Sequence, residues 1–310
     1  MTVYVTMGNA KYYGLLDLNI TQIRKVTSDA RILVYDWGDE SGRPHFISSH
    51  PGVEIVDWTE RIADLAAVRQ TTSRRQQLDL AMAFNARFPR TLRQRIRKMI
   101  LKRMPGSPLA RPLITAGLTF ENMLLQKIPC MLDASARAGD QRLIFLDADA
   151  FLMRSVEVAW DGGEFDMAVT LVDQPEWAEN RCSVINSGVI LFGRRRAHRD
   201  ALLSSWISAT ETCREQLREQ TALVRLLAPL APALFTVGNR VEIELTDKRV
   251  QLLSLPCREF NNTSREEALT SNARVVHLAN AAHNLGEVSE LLERISSYPH
   301  EPDKRPAFVS

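Results

Sequence analysis

Two aspartates separated by a single residue, Asp147 and Asp149, directly follow the apolar run at positions 143–146. An apolar run of this length predicts a buried strand. Because residues i and i+2 of a strand point to the same side, we expect both carboxylates to project together at its C-terminal end. Adjacent carboxylates repel each other unless a positive charge lies between them, and a divalent cation commonly supplies it. The pair therefore indicates a metal–phosphate site at a sheet edge, with solvated acids that cap the strand as the alternative.

Further polar residues that could serve the same site follow along the chain. The first group consists of small residues inside an apolar strand, where a ligand can approach the backbone closely. The second is an acid–amide pair, and the third is a histidine in an apolar run, which could be either a core residue or a metal ligand. In chain order they are Asn186, Ser187 and Gly188 within 184–192, Glu219 with Gln220, and His277 within 274–278.

This ordered set resembles the GT-A fold nucleotide-sugar glycosyltransferases, in particular the family 8-like enzymes and other nucleotide-diphospho-sugar transferases. In them an Asp-x-Asp strand, an Asn-Ser/Ala-Gly strand, an acid–glutamine helix start and a late histidine recur in this order. The resemblance covers roughly residues 2–58 and 120–280. It departs from the family at Met7 and Gly8, which replace the usual acid after the first strand, and in lacking Gly-x-x-Lys-Pro-Trp after His277. The base of the nucleotide and a retaining mechanism therefore stay open.

The resemblance implies a metal-dependent transfer of a hexose from a nucleoside-diphosphate sugar to an acceptor hydroxyl. The expected donor is a UDP-sugar. The acceptor would be a glycan, either lipid-linked or on the cell surface. Mn²⁺ or Mg²⁺ would neutralise the diphosphate leaving group. By resemblance Asp149 would be a direct metal ligand, Asp147 would touch both metal and donor, and His277 would complete the coordination, with His283 as a weaker substitute.

The resemblance also assigns residues to the donor. Asn186 would line the sugar pocket, and Glu219 and Gln220 would lie beside the transferred sugar, with Gln220 near the anomeric carbon. A turn-forming asparagine and a polar helix start are the alternatives for these positions. The remaining candidate donor contacts are Thr6, Asn9, Tyr13, Asp36, Lys127, Asp147, Ser187 and Gly188. Tyr13 could stack on the base. Lys127 would lie before the helix that leads to the Asp-x-Asp strand, and the alternative for it is a solvated helix lysine.

The elements that would position these residues begin at the N-terminus. Apolar runs at 2–6, 32–36 and 53–56 predict strands, and a helical stretch through Val26 separates the first two. Strand, helix and strand at this spacing indicate a βαβ unit and a largely parallel sheet. We therefore predict an α/β fold of the GT-A, Rossmann-like type, with a mostly parallel sheet flanked by helices. One domain would cover residues 1–310 and carry a basic helical insertion at 61–118.

The basic character is concentrated in one segment of the chain. Residues 61–111 contain thirteen Arg and Lys against two acids, a local charge of +11 in a chain whose net charge is +2. The stretch 91–104 predicts a helix that places Leu92, Ile96, Met99 and Ile100 on one face, with Leu101 outside the apolar stripe and Arg103 within it. The result is a basic, imperfectly amphipathic helix.

Such a helix can lie on an anionic membrane surface, which would suit an enzyme with a lipid-linked acceptor. The alternatives are an apolar stripe that packs on the domain, an oligomer contact, or a site for an acidic acceptor. We expect no nucleic-acid partner, because the segment lacks interleaved aromatic residues and any recognisable motif.

Other features of the sequence indicate where the protein is located and which alternative functions remain. We expect a cytoplasmic protein, for which the basic segment allows a peripheral position on the membrane: no signal-peptide pattern is present, no apolar run reaches eighteen residues, and four scattered cysteines suit reduced thiols. A haloacid-dehalogenase-type phosphatase, with the first aspartate as nucleophile, is one alternative function. There the motif usually opens the domain, whereas Asp147 lies in mid-chain. A non-catalytic nucleotide-sugar-binding relative is the other.

Overall fold

The fold is built on short strands, most of which are rich in apolar residues. The computed structural model describes residues 2–38, 50–86, 91–172, 184–213, 215, 217–270, 272–278 and 284–297. The predicted candidate His283 and the cysteine at position 182 lie outside these ranges. The strands are β1 (Thr2–Gly8), β2 (Arg31–Asp36), β3 (Val53–Asp57), β4 (Arg142–Leu146), β5 (Ala150–Leu152), β6 (Met167–Leu171), β7 (Ile185–Phe192), β8 (Arg240–Leu245), β9 (Lys248–Pro256) and β10 (Val275–His277).

Eight of these strands form one mixed sheet in the order β3-β2-β1-β4-β7-β6-β9-β8, and β10 pairs with β5 in a small second sheet. The half β3-β2-β1-β4 is parallel throughout. Strand β7 runs antiparallel to both β4 and β6, β9 is parallel to β6, and β8 is antiparallel to β9. The predicted α/β fold with a mostly parallel sheet is therefore confirmed, and its βαβ half places the carboxyl ends of β1, β2 and β4 at one edge.

Helices cover both faces of the sheet. They pack on side chains that alternate along each strand, as in β4, where Leu143 and Phe145 join one core while Ile144 and Leu146 join the other. The helices are α1 (Tyr13–Val26), α2 (Thr59–Ala63), α3 (Ala66–Gln70), α4 (Arg74–Ala86), α5 (Leu92–Arg103), α6 (Ala110–Ala138), α7 (Arg196–Thr212), α8 (Arg218–Leu230), α9 (Cys257–Phe260), α10 (Arg265–Thr270) and α11 (Leu285–Ser297).

A buried arginine fixes the start of β4. Helix α6 ends at Gly139, whose φ of 59° is the left-handed conformation that glycine tolerates. The fully buried Arg199 of α7 donates hydrogen bonds to the carbonyls of Ser135, Gly139, Gln141 and Gly193 at the end of α6 and beside β4 and β7. Burial lowers the pKa of Arg199 to about 10, so its guanidinium stays charged at neutral pH. This network secures the strand that carries the two aspartates.

The segment between β3 and β4 holds the predicted insertion. Helices α2 to α5 lie within or overlap 61–118, and the end at residue 118 falls inside α6, which is 29 residues long. The predicted basic helix is α5, with Thr91 as its N-cap accepting from the backbone N–H of Gln94. Packing of its apolar stripe on the domain was one of the alternatives, but Leu92 of the stripe is exposed. Leu101, which was predicted to lie outside the stripe, is the residue that is buried.

Two further observations concern membrane-spanning helices and the cysteines. Within the described ranges, none of the helices combines the length and the apolar character that crossing a bilayer requires. The described cysteines, Cys130, Cys213 and Cys257, are buried.

Candidate functional site

The two aspartates lie in the turn between β4 and β5. They were predicted to converge because alternate strand residues share a side, but β4 ends at Leu146 and a tight turn brings the carboxylates together instead. Hydrogen bonds hold this turn: the Asp147 N–H donates to the Gly188 carbonyl at 2.8 Å, and the side chain of Asn19 donates to the Asp147 carbonyl at 3.1 Å. The carboxylates thus project from a fixed backbone at the C-terminal end of β4.

His277 reaches the same point from the second sheet. Strand β10 pairs antiparallel with β5 so that His277 lies opposite Ala150. The Nε2 atom of His277 is 3.2 Å from Oδ1 of Asp149 and 3.9 Å from Oδ2 of Asp147. One ligand atom from each of the three residues lies within 4.8 Å of the others. Residues far apart in the chain therefore form one potential metal-binding cluster.

The tautomer of His277 is set by a residue that the sequence did not identify. Nδ1 of His277 lies 2.9 Å from Oδ1 of Asn261. The amide nitrogen of Asn261 donates to the Thr170 hydroxyl at 2.9 Å and to the Asn186 carbonyl at 3.2 Å, which fixes its Oδ1 as the acceptor. Nδ1 therefore carries the proton. In the neutral ring the lone pair on Nε2 faces the two carboxylates, as a metal ligand must.

The electrostatics of this cluster favour positive charge between the carboxylates. Burial alone would lower the pKa of His277, but the hydrogen bond and charge of Asp149 outweigh it, and the pKa is raised. Burial alone would raise the pKa of Asp149, but its hydrogen bond with His277 and the charge there lower it. Both shifts arise from one ion pair, and the same field would attract a divalent cation.

Lys127 adds a fixed cation beside Asp147. Its Nζ lies 2.9 Å from Oδ1 and 3.0 Å from Oδ2 of Asp147. Burial would lower the pKa of Lys127, but the charges of Asp147 and Glu219 outweigh burial and the pKa is raised. The prediction that Lys127 precedes a helix is wrong, since it lies in the second half of α6. Its partner in the structure is Asp147.

Gly188 makes room for the histidine ring. A Cβ at Gly188 would lie 2.3 Å from Cε1 and 2.5 Å from Nδ1 of His277, far inside van der Waals contact. The side chain of Asn186 accepts from the N–H of Gly188 at 3.0 Å, a local turn contact. The small residues of β7 were predicted to admit a ligand. At Gly188 it is the ring of His277 that approaches the backbone.

Glu219 and Gln220 open α8 beside the cluster. The preceding residue Leu217 has φ 52° and ψ 49°, a left-handed conformation that turns the chain into the helix. Trp206 Nε1 donates to the Glu219 carbonyl at 2.7 Å. Burial raises the pKa of the Glu219 carboxyl and outweighs the attraction of Lys127 and a hydrogen bond with Ser187. Among the described residues, Oε1 of Glu219 is buried without a hydrogen-bond partner, which leaves it able to accept from a ligand.

These residues line one cavity of about 580 Å³. Its wall also includes aromatic and apolar side chains that sequence reasoning missed, namely Tyr12, Trp37, Phe120, Met123, Leu124 and Leu217. The predicted site residues in the wall are Lys127, Asp147, Asp149, Asn186, Ser187, Gly188, Glu219, Gln220 and His277.

Four predicted donor contacts lie outside the lining of this cavity. The Tyr13 hydroxyl donates to Oδ1 of Asp36 at 2.8 Å, and both residues are buried. Thr6 is fully buried. Asn9 accepts from the backbone N–H of Lys11 at 3.1 Å. Their nucleotide contacts stay predictions, while the neighbouring Tyr12 occupies the wall that Tyr13 was expected to provide.

No protein-family model matches the chain, and no curated protein matches its sequence. Among solved structures it is similar to the galactosyltransferase LgtC in complex with donor and acceptor sugar analogues, at 15% identity and a TM-score of 0.46 over 96% of this chain and 98% of LgtC. It is also similar to the glycosyltransferase GlyE of Streptococcus pneumoniae, at 12% identity and a TM-score of 0.49 over 95% of this chain and 60% of GlyE. For the bifunctional glycosyltransferase WbbM the values are 10% and 0.46 over 96% and 50%. These three solved structures are named as glycosyltransferases.

Proposed function

We propose that this chain is a metal-dependent glycosyltransferase that moves a hexose from a nucleoside-diphosphate sugar to an acceptor hydroxyl. The donor that we expect is a UDP-sugar. The observation that carries the proposal is the convergence of Asp147, Asp149 and His277 in the wall of a cavity that also holds Glu219 and Gln220. A cluster of metal ligands beside polar groups that can accept from sugar hydroxyls is what such a transfer requires.

The donor set suits Mn²⁺ or Mg²⁺. Two carboxylate oxygens and one imidazole nitrogen are ligands that both ions accept, and Asn261 keeps Nε2 of His277 available. Asp147, Asp149 and His277 would hold the ion. When bound, it supplies Lewis-acid neutralisation of the charge on the diphosphate leaving group.

Lys127 would contribute a second positive charge to the same task. Its ammonium is buried, and its raised pKa keeps it protonated at neutral pH. A preorganised cation in a cavity wall stabilises the negative charge that develops on a leaving group more strongly than a solvated one does. We assign to Lys127 a contact with the donor diphosphate from its position beside Asp147.

The polar residues on α8 and β7 would bind the sugar. The buried Oε1 of Glu219 can accept from a sugar hydroxyl, and Gln220 and Asn186 line the same cavity. Hydrogen bonds of this kind fix the orientation of the hexose, which brings the reacting carbon to a defined place. Gln220 is the candidate for the contact nearest that carbon.

The acceptor would meet the apolar part of the wall. Phe120, Met123 and Leu124 of α6, with Leu217 before α8, line the cavity. Apolar and aromatic side chains suit the apolar face of a sugar ring or the lipid part of an amphiphile. We therefore propose a glycan or a lipid-linked glycan as the acceptor, and a cytoplasmic protein with peripheral membrane association.

A thermal-shift screen of nucleotide sugars with and without Mn²⁺ tests the proposal. A donor that binds only the native state must raise the melting temperature, so one UDP-hexose is expected to do so only when Mn²⁺ is present. The same mixture should then release UDP when incubated with an acceptor. Binding of no nucleotide sugar, or release of phosphate from phosphoesters instead, would contradict the transferase.

The nucleotide base should stack on Tyr12 rather than on Tyr13. Base–aromatic stacking contributes about 1–3 kcal/mol per base, so Tyr12→Ala is expected to weaken UDP binding by that amount in calorimetric titration. Tyr13→Phe, which removes only the hydroxyl bonded to Asp36, is the matched control and should bind UDP like the wild type. Equal loss in both variants would place the base elsewhere.

A further inference from the structure

The surface of α5 exposes large apolar side chains to solvent. Leu92 is 73% exposed, Ile96 45% and Met99 45%, and their spacing places them on one face of the helix. Among the described residues, five of the nine exposed large hydrophobic side chains lie within 92–109. Leu101 is only 3% exposed and anchors the opposite side of α5. Such a concentration marks an interaction site, because scattered single residues would be the ordinary case.

The charges on the same helix are all positive. Within the parts of the chain that the structure describes, none of its cationic side chains has an ion-pair or hydrogen-bond partner, whereas Arg137 and Arg142 elsewhere each bind two acidic side chains. The helix contains no acid. The cations are Arg93, Arg95, Arg97, Lys98, Lys102 and Arg103.

A cavity with apolar and polar walls lies behind this surface. It has a volume of about 640 Å³ between α4, α5 and α6, with Phe84, Leu113 and Ala116 among its apolar walls. Arg93 and Arg97, one helical turn apart on α5, also line it. Apolar walls with two guanidinium groups match the chemistry of an anionic amphiphile.

We propose that the α5 surface, defined by Leu92, Ile96 and Met99 with the surrounding cations, docks on an anionic lipid bilayer. A helix that carries exposed apolar residues together with cations lies at the interface, with its apolar side chains below the headgroups and its cations among them. A nucleic acid would satisfy the cations alone and leave the apolar side chains in water.

A second copy of this chain fits less well than a bilayer. A two-fold symmetric contact would bring the same surface against itself, and each partner would present its cations to those of the other. Like charges across an interface are unfavourable. An anionic bilayer meets both the charge and the apolar exposure.

Docking would also orient the candidate active site. Leu113, Ala116, Phe120, Met123 and Lys127 recur at three- and four-residue intervals on one face of α6, and they line the cavity behind α5 and then the candidate active site. Leu113 and Lys127 are fourteen positions apart, which is about 21 Å along the helix. If the proposed transferase function holds, on which this step alone rests, the acceptor glycan would be presented from the bilayer.

Sedimentation with vesicles tests the docking. The full chain is expected to sediment with vesicles of phosphatidylcholine and phosphatidylglycerol, but not with phosphatidylcholine alone, and salt should release it. Two triple variants are compared, Leu92→Ser/Ile96→Ser/Met99→Ser and Arg93→Gln/Arg95→Gln/Lys98→Gln. Removing three surface cations should weaken partitioning on the order of 100-fold, and the serine variant should lose binding although it keeps every charge.

Matched controls lie elsewhere on the surface. Leu230→Ser/Val237→Ser removes exposed apolar side chains, and Lys25→Gln/Arg249→Gln/Arg265→Gln removes exposed cations; both should bind vesicles like the wild type. Unchanged melting temperatures would show that all variants fold. If the wild type stays in the supernatant, or if either α5 variant binds normally, the docking is refuted.

A dimer that the serine variant converts to a monomer, without vesicle binding by the wild type, would make the surface an oligomer contact and also refute docking. Donor hydrolysis in solution separates the two proposals. It should be equal in wild type and α5 variants, so failure of docking with hydrolysis intact leaves the transferase standing.

Discussion

Asparagine in place of Asp149 is expected to abolish both Mn²⁺ binding and donor turnover while the protein stays folded. The substitution removes a ligand charge 3.2 Å from Nε2 of His277 but leaves a side chain of nearly the same shape, so no cavity forms. Loss of metal-ion stabilisation of a leaving group is worth several kcal/mol, and turnover should fall at least about 100-fold. Calorimetric titration with Mn²⁺ measures binding without reference to activity, and UDP release measures turnover.

The control for the loss of one negative charge is Asp247→Asn. Asp247 is exposed at a turn and contacts its two chain neighbours, the ammonium of Lys248 and the hydroxyl of Thr246, so Mn²⁺ binding and turnover should be unchanged there. Chelator added to the wild type should reproduce the Asp149 variant. Full turnover in the variant, or turnover indifferent to chelator, would leave Lys127 as the charge that stabilises the leaving group and remove the metal from the proposal.

The part of the site carried by apolar strands could be predicted from the sequence. Four consecutive apolar residues before Asp147 predicted β4, and the structure ends this strand at Leu146. The reason given for the convergence of the carboxylates was wrong, because the turn geometry at 147–149 is not encoded by strand alternation. The order of motifs placed His277 in the cluster, although it reaches it through a second sheet that the periodicity did not indicate.

Contacts between elements distant in sequence could not be read from local patterns. Asn261 could not be recognised as a partner of His277, because its amide group is held by Thr170 and Asn186, which pair next to a register shift between β6 and β7. No spacing rule connects these positions. Local sequence patterns indicate the secondary structure that one segment prefers. This hydrogen-bond network joins several segments that are distant in sequence, so no local pattern indicates it.

The direction in which a residue faces, and the position where a helix begins, were a second source of error. Tyr12 and Tyr13 are adjacent, and a 3₁₀ turn at Ala10–Tyr12 precedes α1, so helical periodicity could not decide which ring faces the cavity. A helix was predicted to begin after Lys127, but Lys127 and Pro129 both lie inside α6. A proline costs a helix one hydrogen bond, yet this long helix continues through it, packed on β4 and α7.

The basic helix shows the limit of amphipathic patterns. Its bounds were predicted within one residue at each end, from 91–104 against Leu92–Arg103. A hydrophobic stripe, however, indicates only that one face prefers an apolar contact, and not that the contact lies within the same chain. The exposed Leu92 and the buried Leu101 had to be seen in the structure.

Alanine at Gly188 is expected to displace the ring of His277 and so to weaken the metal site without touching a ligand. The added Cβ would lie 2.3 Å from Cε1 of His277, and β7 is held on both sides by β4 and β6, so the ring must give way. Overpacking of this kind costs about 1–3 kcal/mol of stability. Mn²⁺ affinity should fall by roughly 10–100-fold, the size of effect seen when the residues that orient a ligand are lost.

A double-mutant cycle shows whether the alanine acts through His277. If it does, Gly188→Ala/His277→Ala should bind Mn²⁺ no more weakly than His277→Ala alone, because the displaced ring is already absent. Gly286→Ala is the matched control, since the nearest atom to its Cβ would be 3.8 Å away, and it should leave Mn²⁺ binding unchanged. Additive losses in the double variant would instead mean that the substitution acts through the Gly188 carbonyl, which accepts from the N–H of Asp147. The role assigned to the ring would then be wrong, and the turn that carries the aspartates would be the element that Gly188 controls.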